Sequence, residues 1–486
     1  MEALNSNTIR MNRFRRKPTN NHRSKQLLFI SLLAIFFVLL LCFSNKYTIN
    51  SLFLSNPLKN TRFSQCVKLN EVQSLKGQKF LWYAPHSGFS NQLSEFKNAV
   101  LMSAILNRTL IIPPVLDHHA VVLGSCPKFR VSDPKELRFA VWNHAIELIQ
   151  SRRYVSMADI IDLSSLVSDS ALQVIDFRNF VSLFCDIDFN YFCVKDSSII
   201  QDSLLEKLSQ CGSLLSGYSG DNNECVYAVE EDCRTTVWTY QRNGENGVLD
   251  SFQPDEQLKK KKKISFVRRR KDVYNALGPH SRAESATILS FGTLFTAPYK
   301  GSESYIDIHE APNDKKIQSL ITKIEFLPFV PEILDAGKAY AFHTVKSPFL
   351  CAQLRLLDGQ FKNHWKGTFE GLKQKVDSLR EKERLPVHIF VMTDLPMSNW
   401  SGTYLGDLAN DSDSIKLFVL SEEDELIKKT AMKVVDKKDC DMRPPDILLH
   451  VEESVCSCAS LGFFGTAGST IADTIEMMRK KEICSK

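Results

Sequence analysis

The 486-residue chain is 43% hydrophobic and 24% charged, a folded globular composition too long for one ordinary core, so two domains are expected. Its net charge of +5 comes from the first 26 residues: removing their seven bases (Arg10, Arg13, Arg15, Arg16, Lys17, Arg23, Lys25) and Glu2 leaves 54 basic and 55 acidic residues. The body lacks the basic footprint of a nucleic-acid binder, and no nucleic-acid partner is expected.

After the basic tail, Leu27 to Phe43 forms an uncharged, mostly apolar run. As a helix it spans about 26 Å, enough for a thin secretory-pathway bilayer. The preceding bases predict a cytosolic N-terminus and a lumenal body. A cleaved signal peptide is the rival, but its apolar core is usually shorter, and no A-x-A-like site follows. The expected organisation is a cytosolic tail (1–26), a transmembrane anchor (27–43), a stem (44–75) and two Rossmann-like domains (76–338 and 339–486).

From Lys79 the pattern becomes strand, turn, helix, strand. "KFLWYA" is the first strand; Leu93, Phe96, Val100, Leu101 and Ala104 share a helical face; "TLII" is the next strand, ended by Pro113-Pro114. The turn "HSGFSNQ" places Gly88 between strand and helix, where open N–H groups suit an anion and Asn91 and Gln92 add polar side chains. Ser90 or Asn91 as an ordinary N-cap explains the same turn. The cluster Asp117-His118-His119 after the second strand, with His86, offers proton acceptors, or a strand-end hydrogen-bond cluster.

Residues 120–290 show no clean period. They hold "LKKKKKISFVRRRKD" with nine bases, read as a solvated face, and Cys185, Cys193, Cys211, Cys225 and Cys233 crowd together there. Outside the membrane run twelve cysteines remain, so several disulfides are expected in an oxidising lumen. Cys351, inside an apolar run, reads as a buried free thiol. Cys456-Ser-Cys458 is a poor zinc clamp, and no metal is expected. Asn107, Asn399 and Asn410 open N-glycosylation sequons.

From about Tyr340 strands and helices alternate: "FLCAQLRL", "FEGLKQKVDSLREK", "VHIFVM", "IKLFVL", "EEDELIKKTAMKVV", "LGFFG" and "IADTIEMMRKK". This predicts a parallel, doubly wound α/β sheet. "FFGTAGSTIAD" is a second strand-to-helix turn, with Thr470-x-x-Asp473 fitting a capping box. Arg355 ends an apolar strand, with Asp358 as a structural partner or a phosphate as a functional one.

Four blocks, "HSGFSNQLSEFKNAVLMSAILNRTLIIPPVLDHH", "LRLLDGQFKNHW", "HIFVMTDLP" and "FFGTAGSTIADTIEMMRKK", resemble the GDP-fucose protein O-fucosyltransferase family, most closely its plant-type branch of Golgi type II membrane proteins. The resemblance covers about residues 78–482. It implies a GT-B-like fold, two Rossmann-like domains facing a cleft, with the first on the acceptor side and the second on the nucleotide-sugar side. It implies inverting, metal-independent transfer with no cofactor beyond the donor GDP-fucose, and a single-pass Golgi membrane protein whose partners are a nucleotide sugar and a protein or polysaccharide acceptor. By motif position Gly88, Phe89, Ser90 and Asn91 wrap the diphosphate, Asn91 orients reacting groups, and Arg355 stabilises the departing phosphate. Asp394 lies near the nucleotide, and Ser469 and Thr470 donate to the phosphates.

Three positions depart from the family pattern. Gln353 stands where a histidine is usual, Ile471 where an aromatic is, and Ser87 where some relatives carry a glutamate base. Three other readings therefore stay open: a different donor such as a UDP-linked deoxy sugar, a non-catalytic glycan-binding relative, and a metal-dependent enzyme using Asp186-Ile-Asp188 or Asp439-Cys-Asp441.

Overall fold

The structure is a computed structural model that describes residues 75–485, except 118–133, 169–171, 188–197, 218–224, 230–235, 239–265, 269–276, 293, 295–314, 358–360, 384 and 435–442. All described residues fall within one compact unit, Thr61–Lys486. The expected anchor at 27–43 and the stem to residue 74 also lie outside the described residues. Among those described, no helix is long and apolar enough to cross a membrane.

The first half is built on a five-stranded parallel sheet. Its strands are β1 (Phe80–Tyr83), β2 (Thr109–Ile112), β3 (Val174–Asp176), β4 (Val226–Val229) and β7 (Ile288–Phe291), in the order β3-β2-β1-β7-β4. Two short strands, β5 (Thr236–Trp238) and β6 (Phe266–Arg268), pair separately. Helices α1 (Phe89–Leu106), α2 (Pro134–Gln150), α3 (Phe177–Cys185) and α4 (Ser198–Leu215) belong to this half. β1, β2 and β7 are buried at every position, as strands covered on both faces must be.

After α5 (Lys315–Glu325) and α6 (Pro331–Ala339) comes a four-stranded parallel sheet. It contains β8 (Phe349–Leu354), β9 (Val387–Thr393), β10 (Ile415–Phe418) and β11 (Gly462–Gly465), ordered β10-β9-β8-β11. Its helices are α7 (Trp365–Arg380), α8 (Tyr404–Asn410), α9 (Glu425–Val434), α10 (Leu448–Ser457) and α11 (Thr470–Lys480). The alternation read from the sequence is present in both halves. In each sheet the chain leaves the founding strand to one side and later returns on the other. The gap beyond the C-terminal ends of those neighbouring strands is where open α/β sheets bind ligands.

One apolar cluster joins the halves, running from Phe96 and Val100 of α1 through Ile333 of α6 to Val451 and Val455 of α10 and Ile475 of α11. A second, with Trp82, Trp142, Phe177 and Phe180, underlies the first sheet. A third, with Leu350, Leu372, Val376 and Ile389, covers the second. α6 and α10 approach closely at Gly337, where an added Cβ would meet Ser454 Oγ at 2.2 Å.

The cysteines correct one expectation. Cys351 is not a free thiol: it is disulfide-bonded to Cys456, joining β8 to α10. Cys458 pairs with Cys484, so neither cysteine of the Cys-Ser-Cys motif is a metal ligand. Cys185 pairs with Cys211 within the crowded region, and Cys225 is disulfide-bonded as well. Partners for a metal at Asp186 fall at residue 188, outside the described residues, as does the whole 439–441 triplet. No group of three or more potential metal ligands clusters among those described.

Candidate active site

β1 ends at Tyr83, and six residues later α1 begins. Gly88 itself is the N-cap, in extended conformation (φ −70°, ψ 162°), and no side chain caps this helix end. Neither Ser90 nor Asn91 takes the N-cap position, because both lie inside the first turn. That turn carries no acidic residue, so its N–H groups and the helix dipole face outward without a competing charge. Gly88, Phe89, Ser90 and Asn91 are all half-buried, as a lining should be.

The loop is fixed from below. Ser87 holds a left-handed conformation (φ 64°). Gln92, fully buried, donates to Ser87 O at 2.8 Å and Leu116 O at 3.0 Å and accepts from Leu116 N at 2.9 Å. Its amide is thereby committed to stapling two loops and is not available to a ligand. His86, 1% exposed, pairs with the fully buried Glu95. Asp117 is half exposed and bound by Arg153 at 2.7 Å, with His144 at 3.5 Å. His118 and His119 lie outside the described residues.

The second sheet brings the other two motifs together. β8 ends in Gln353 and Leu354, and Arg355 follows; beside it β11 ends at Gly465 and the chain turns through Thr466 to α11. Arg355 N donates to Thr466 Oγ1 at 2.9 Å. Thr466 N donates to Gln353 O at 3.0 Å, and the Gln353 side-chain oxygen lies at 3.3 Å from the same nitrogen. Gln353, 2% exposed, is thus spent on holding the turn. The Arg355 guanidinium lies over the Phe361 ring, 4.9 Å from its centroid. Asp394, just after β9, accepts from Leu356 N at 2.7 Å and Leu357 N at 2.9 Å, gripping the backbone next to Arg355.

Ser469, not Thr470, is the N-cap of α11, so the expected Thr470–Asp473 capping box does not form. The Ser469 hydroxyl is fully buried and has no hydrogen-bond partner among the described residues. Thr470 is exposed in the first turn. The two halves meet nearby: α11 packs against α1 and α10, and the Phe89 ring lies tilted against His450 of α10 with ring centroids 4.3 Å apart. The structure thus joins Arg355 to the Thr466–Ser469 turn directly, and joins the Gly88 turn to the second half through Phe89. Thr466 and His450 were missed in the sequence: a threonine directly after a strand was the available signal for the first, and nothing local marked the second. Asn107, Asn399 and Asn410 are all exposed, and Asn107 closes α1 in a left-handed C-cap.

α10 also buries two carboxyl groups. Burial pushes Glu453, 2% exposed, up to about 8, and burial with Glu453 and Asp446 nearby raises Glu452 as well. Burial lowers His450 to about 3. A raised carboxyl favours the folded state at low pH and loses that advantage as pH climbs through its folded pKa, whereas the lowered histidine acts the opposite way below about 6.5. Between pH 6.5 and 8 only the carboxyl effects remain. Glu453 alone should then cost about 2 kcal/mol of stability across that window, and Glu453→Gln should remove that share of the slope. Denaturant melts at pH 6.5 and 8 would measure it, and equal slopes for both proteins would refute it.

Against known proteins, no family model matches the chain. O-fucosyltransferase 30 of Arabidopsis thaliana is 56% identical over 478 residues, covering 94% of each chain. Among solved structures, POFUT1 in complex with GDP aligns at 12% identity and a TM-score of 0.37, covering 83% of this chain and 96% of that one. The fucosyltransferase NodZ from Bradyrhizobium aligns at 10% identity and a TM-score of 0.33, covering 82% and 93%. Identity of this extent along nearly the whole of both chains places the protein in the O-fucosyltransferase family, and thus among the glycosyltransferases.

Proposed function

We propose that this protein moves fucose from GDP-fucose to a hydroxyl of a protein or cell-wall polysaccharide, inverting the anomeric centre without a metal. It would work as two Rossmann-like lobes of GT-B type facing a cleft, held in the Golgi membrane by an anchor at 27–43 with its body in the lumen. The observation that carries the reading is the pairing of Arg355 with the Thr466–Ser469 turn beyond the ends of β8 and β11. It ties the backbone of Arg355 to the turn that leads into α11, whose buried Ser469 hydroxyl lacks a partner among the described residues.

Breaking the bond from C1 to the diphosphate leaves negative charge on the phosphate oxygens. Arg355, the Ser469 hydroxyl and the first-turn N–H groups of α1 and α11 are preorganised donors for that charge. Each such contact is worth on the order of 3 kcal/mol, or 100-fold in rate. Because His86 is buried against Glu95, the acceptor's proton would pass to the Asp117–His119 segment.

A second donor, such as UDP-rhamnose, is favoured by Gln353 in place of the usual histidine. Against it, the Gln353 side chain is committed to Thr466, so the exchange leaves the turn intact. Competition binding of GDP and UDP to the purified lumenal portion should favour GDP, and slow donor hydrolysis should persist in EDTA. Preference for UDP would remove fucose, loss of activity on chelation would remove the metal-free mechanism, and no turnover of any sugar nucleotide would leave a glycan-binding relative.

A further inference from the structure

The His450 ring is buried and contacts two aromatic rings, Phe89, at 4.3 Å between centroids, and Phe329, at 5.0 Å. Phe89 is the first residue of α1, directly after the Gly88 N-cap. Phe329 lies in the crossover before α6, where it bridges to Ile161, while Val330 N bonds to Ile160 O at 2.9 Å. That crossover is therefore pinned to the first half.

His450 itself stands on a helix that cannot shift freely. The Cys351–Cys456 disulfide ties α10 to β8, two residues before Gln353. Ser454 Oγ donates to Leu334 O at 3.1 Å, on α6, whose Gly337 leaves no room between the helices. A continuous chain of contacts thus runs from β8, the strand that Arg355 follows, through a disulfide and one helix, to the ring beside Phe89.

We propose that His450 is a positioning residue: its ring sets the distance between the Gly88 anion turn and Arg355, acting through Phe89. This rests on the donor-site reading above. The ring does the work as a neutral spacer. Burial keeps it uncharged at working pH, and its Nδ1 has no hydrogen-bond partner among the described residues. A phenylalanine should therefore serve as well as the native imidazole and fold at least as stably, because an unpartnered buried nitrogen costs stability. An alanine removes the spacer and frees Phe89 to move.

The test measures GDP affinity and the KM and kcat for GDP-fucose in wild type, His450→Ala, His450→Phe, Phe89→Ala and the double alanine variant, well below each melting temperature. His450→Ala should weaken GDP binding and lower kcat/KM for the donor about tenfold, with the acceptor KM within twofold of wild type. His450→Phe should restore both donor values. Phe89→Ala should match His450→Ala, and the double variant should be no worse than either single one, because both break the same contact. If His450→Ala does not fold, His450→Leu, which keeps bulk but lacks the planar ring that spaces Phe89, should show the same donor defect. Wild type that fails to bind GDP overturns the donor-site reading. Wild type that binds GDP, beside an alanine or leucine variant within twofold of it or a phenylalanine variant no better than alanine, overturns this inference alone.

Discussion

Replacing Arg355 with alanine should lower kcat for fucosyl transfer 100- to 1000-fold while leaving the fold nearly as stable. The first effect follows from position. The backbone of Arg355 is tied to the turn that leads into α11, and in the proposed site losing one preorganised donor to a developing oxyanion costs about 3–4 kcal/mol of barrier. The second follows from what holds this part of the chain. The backbone at 355 is fixed by Thr466 Oγ1, and Leu356 by Asp394, and neither bond needs the side chain. The cation–π contact with Phe361 that the fold gives up is worth about 1 kcal/mol at a half-exposed site. Lysine should recover only part of the rate, because a point charge cannot reproduce two parallel N–H bonds to a phosphate. Donor hydrolysis without acceptor separates donor activation from acceptor binding. An alanine variant within tenfold of wild type in that assay would mean that the leaving group is stabilised elsewhere.

The strands on either side of this site were legible because burial on both faces leaves an unbroken apolar run: "FLWY", "TLII" and "FLCAQL" each became a fully buried strand. The two strand-to-helix turns were legible as glycine between strand and helix. Their details were not, because capping is decided by backbone geometry at single-residue precision. Gly88 rather than Ser90 or Asn91 caps α1, and Ser469 rather than Thr470 caps α11. Cys351 looked like a core thiol because its partner lies 105 residues away, where no local pattern connects them. Gln92 looked like a ligand group beside Asn91. One residue along a helix turns a side chain by about 100°, and that rotation carried Gln92 into the loop staple beneath the turn. His450 carried no mark at all: its role comes from which rings of another half it meets.

Removing the carboxylate of Asp394 should damage both stability and rate, which distinguishes it from Arg355. Asp394 accepts from two consecutive backbone N–H groups, at 2.7 and 2.9 Å. Leu356, whose N–H takes the shorter bond, has its side chain fully buried in the third apolar cluster, and its carbonyl accepts from Trp365 Nε1. In Asp394→Ala the Leu356 N–H loses a charge-assisted bond, whereas Leu357 is exposed and can turn to water. A stability loss of about 2–3 kcal/mol is expected. The peptide after Arg355 then has no fixed partner, so the guanidinium loses its aim and kcat/KM should fall about 30- to 100-fold. Asp394→Asn keeps one side-chain acceptor and should recover part of both losses. The decisive comparison is the double variant with Arg355→Ala. If Asp394 acts on the reaction only by aiming that guanidinium, the double variant should be no slower than Arg355→Ala alone, although less stable. A further drop in rate would show that the carboxylate touches the donor itself, and a rate loss fully cured by working at lower temperature would reduce its role to holding the fold.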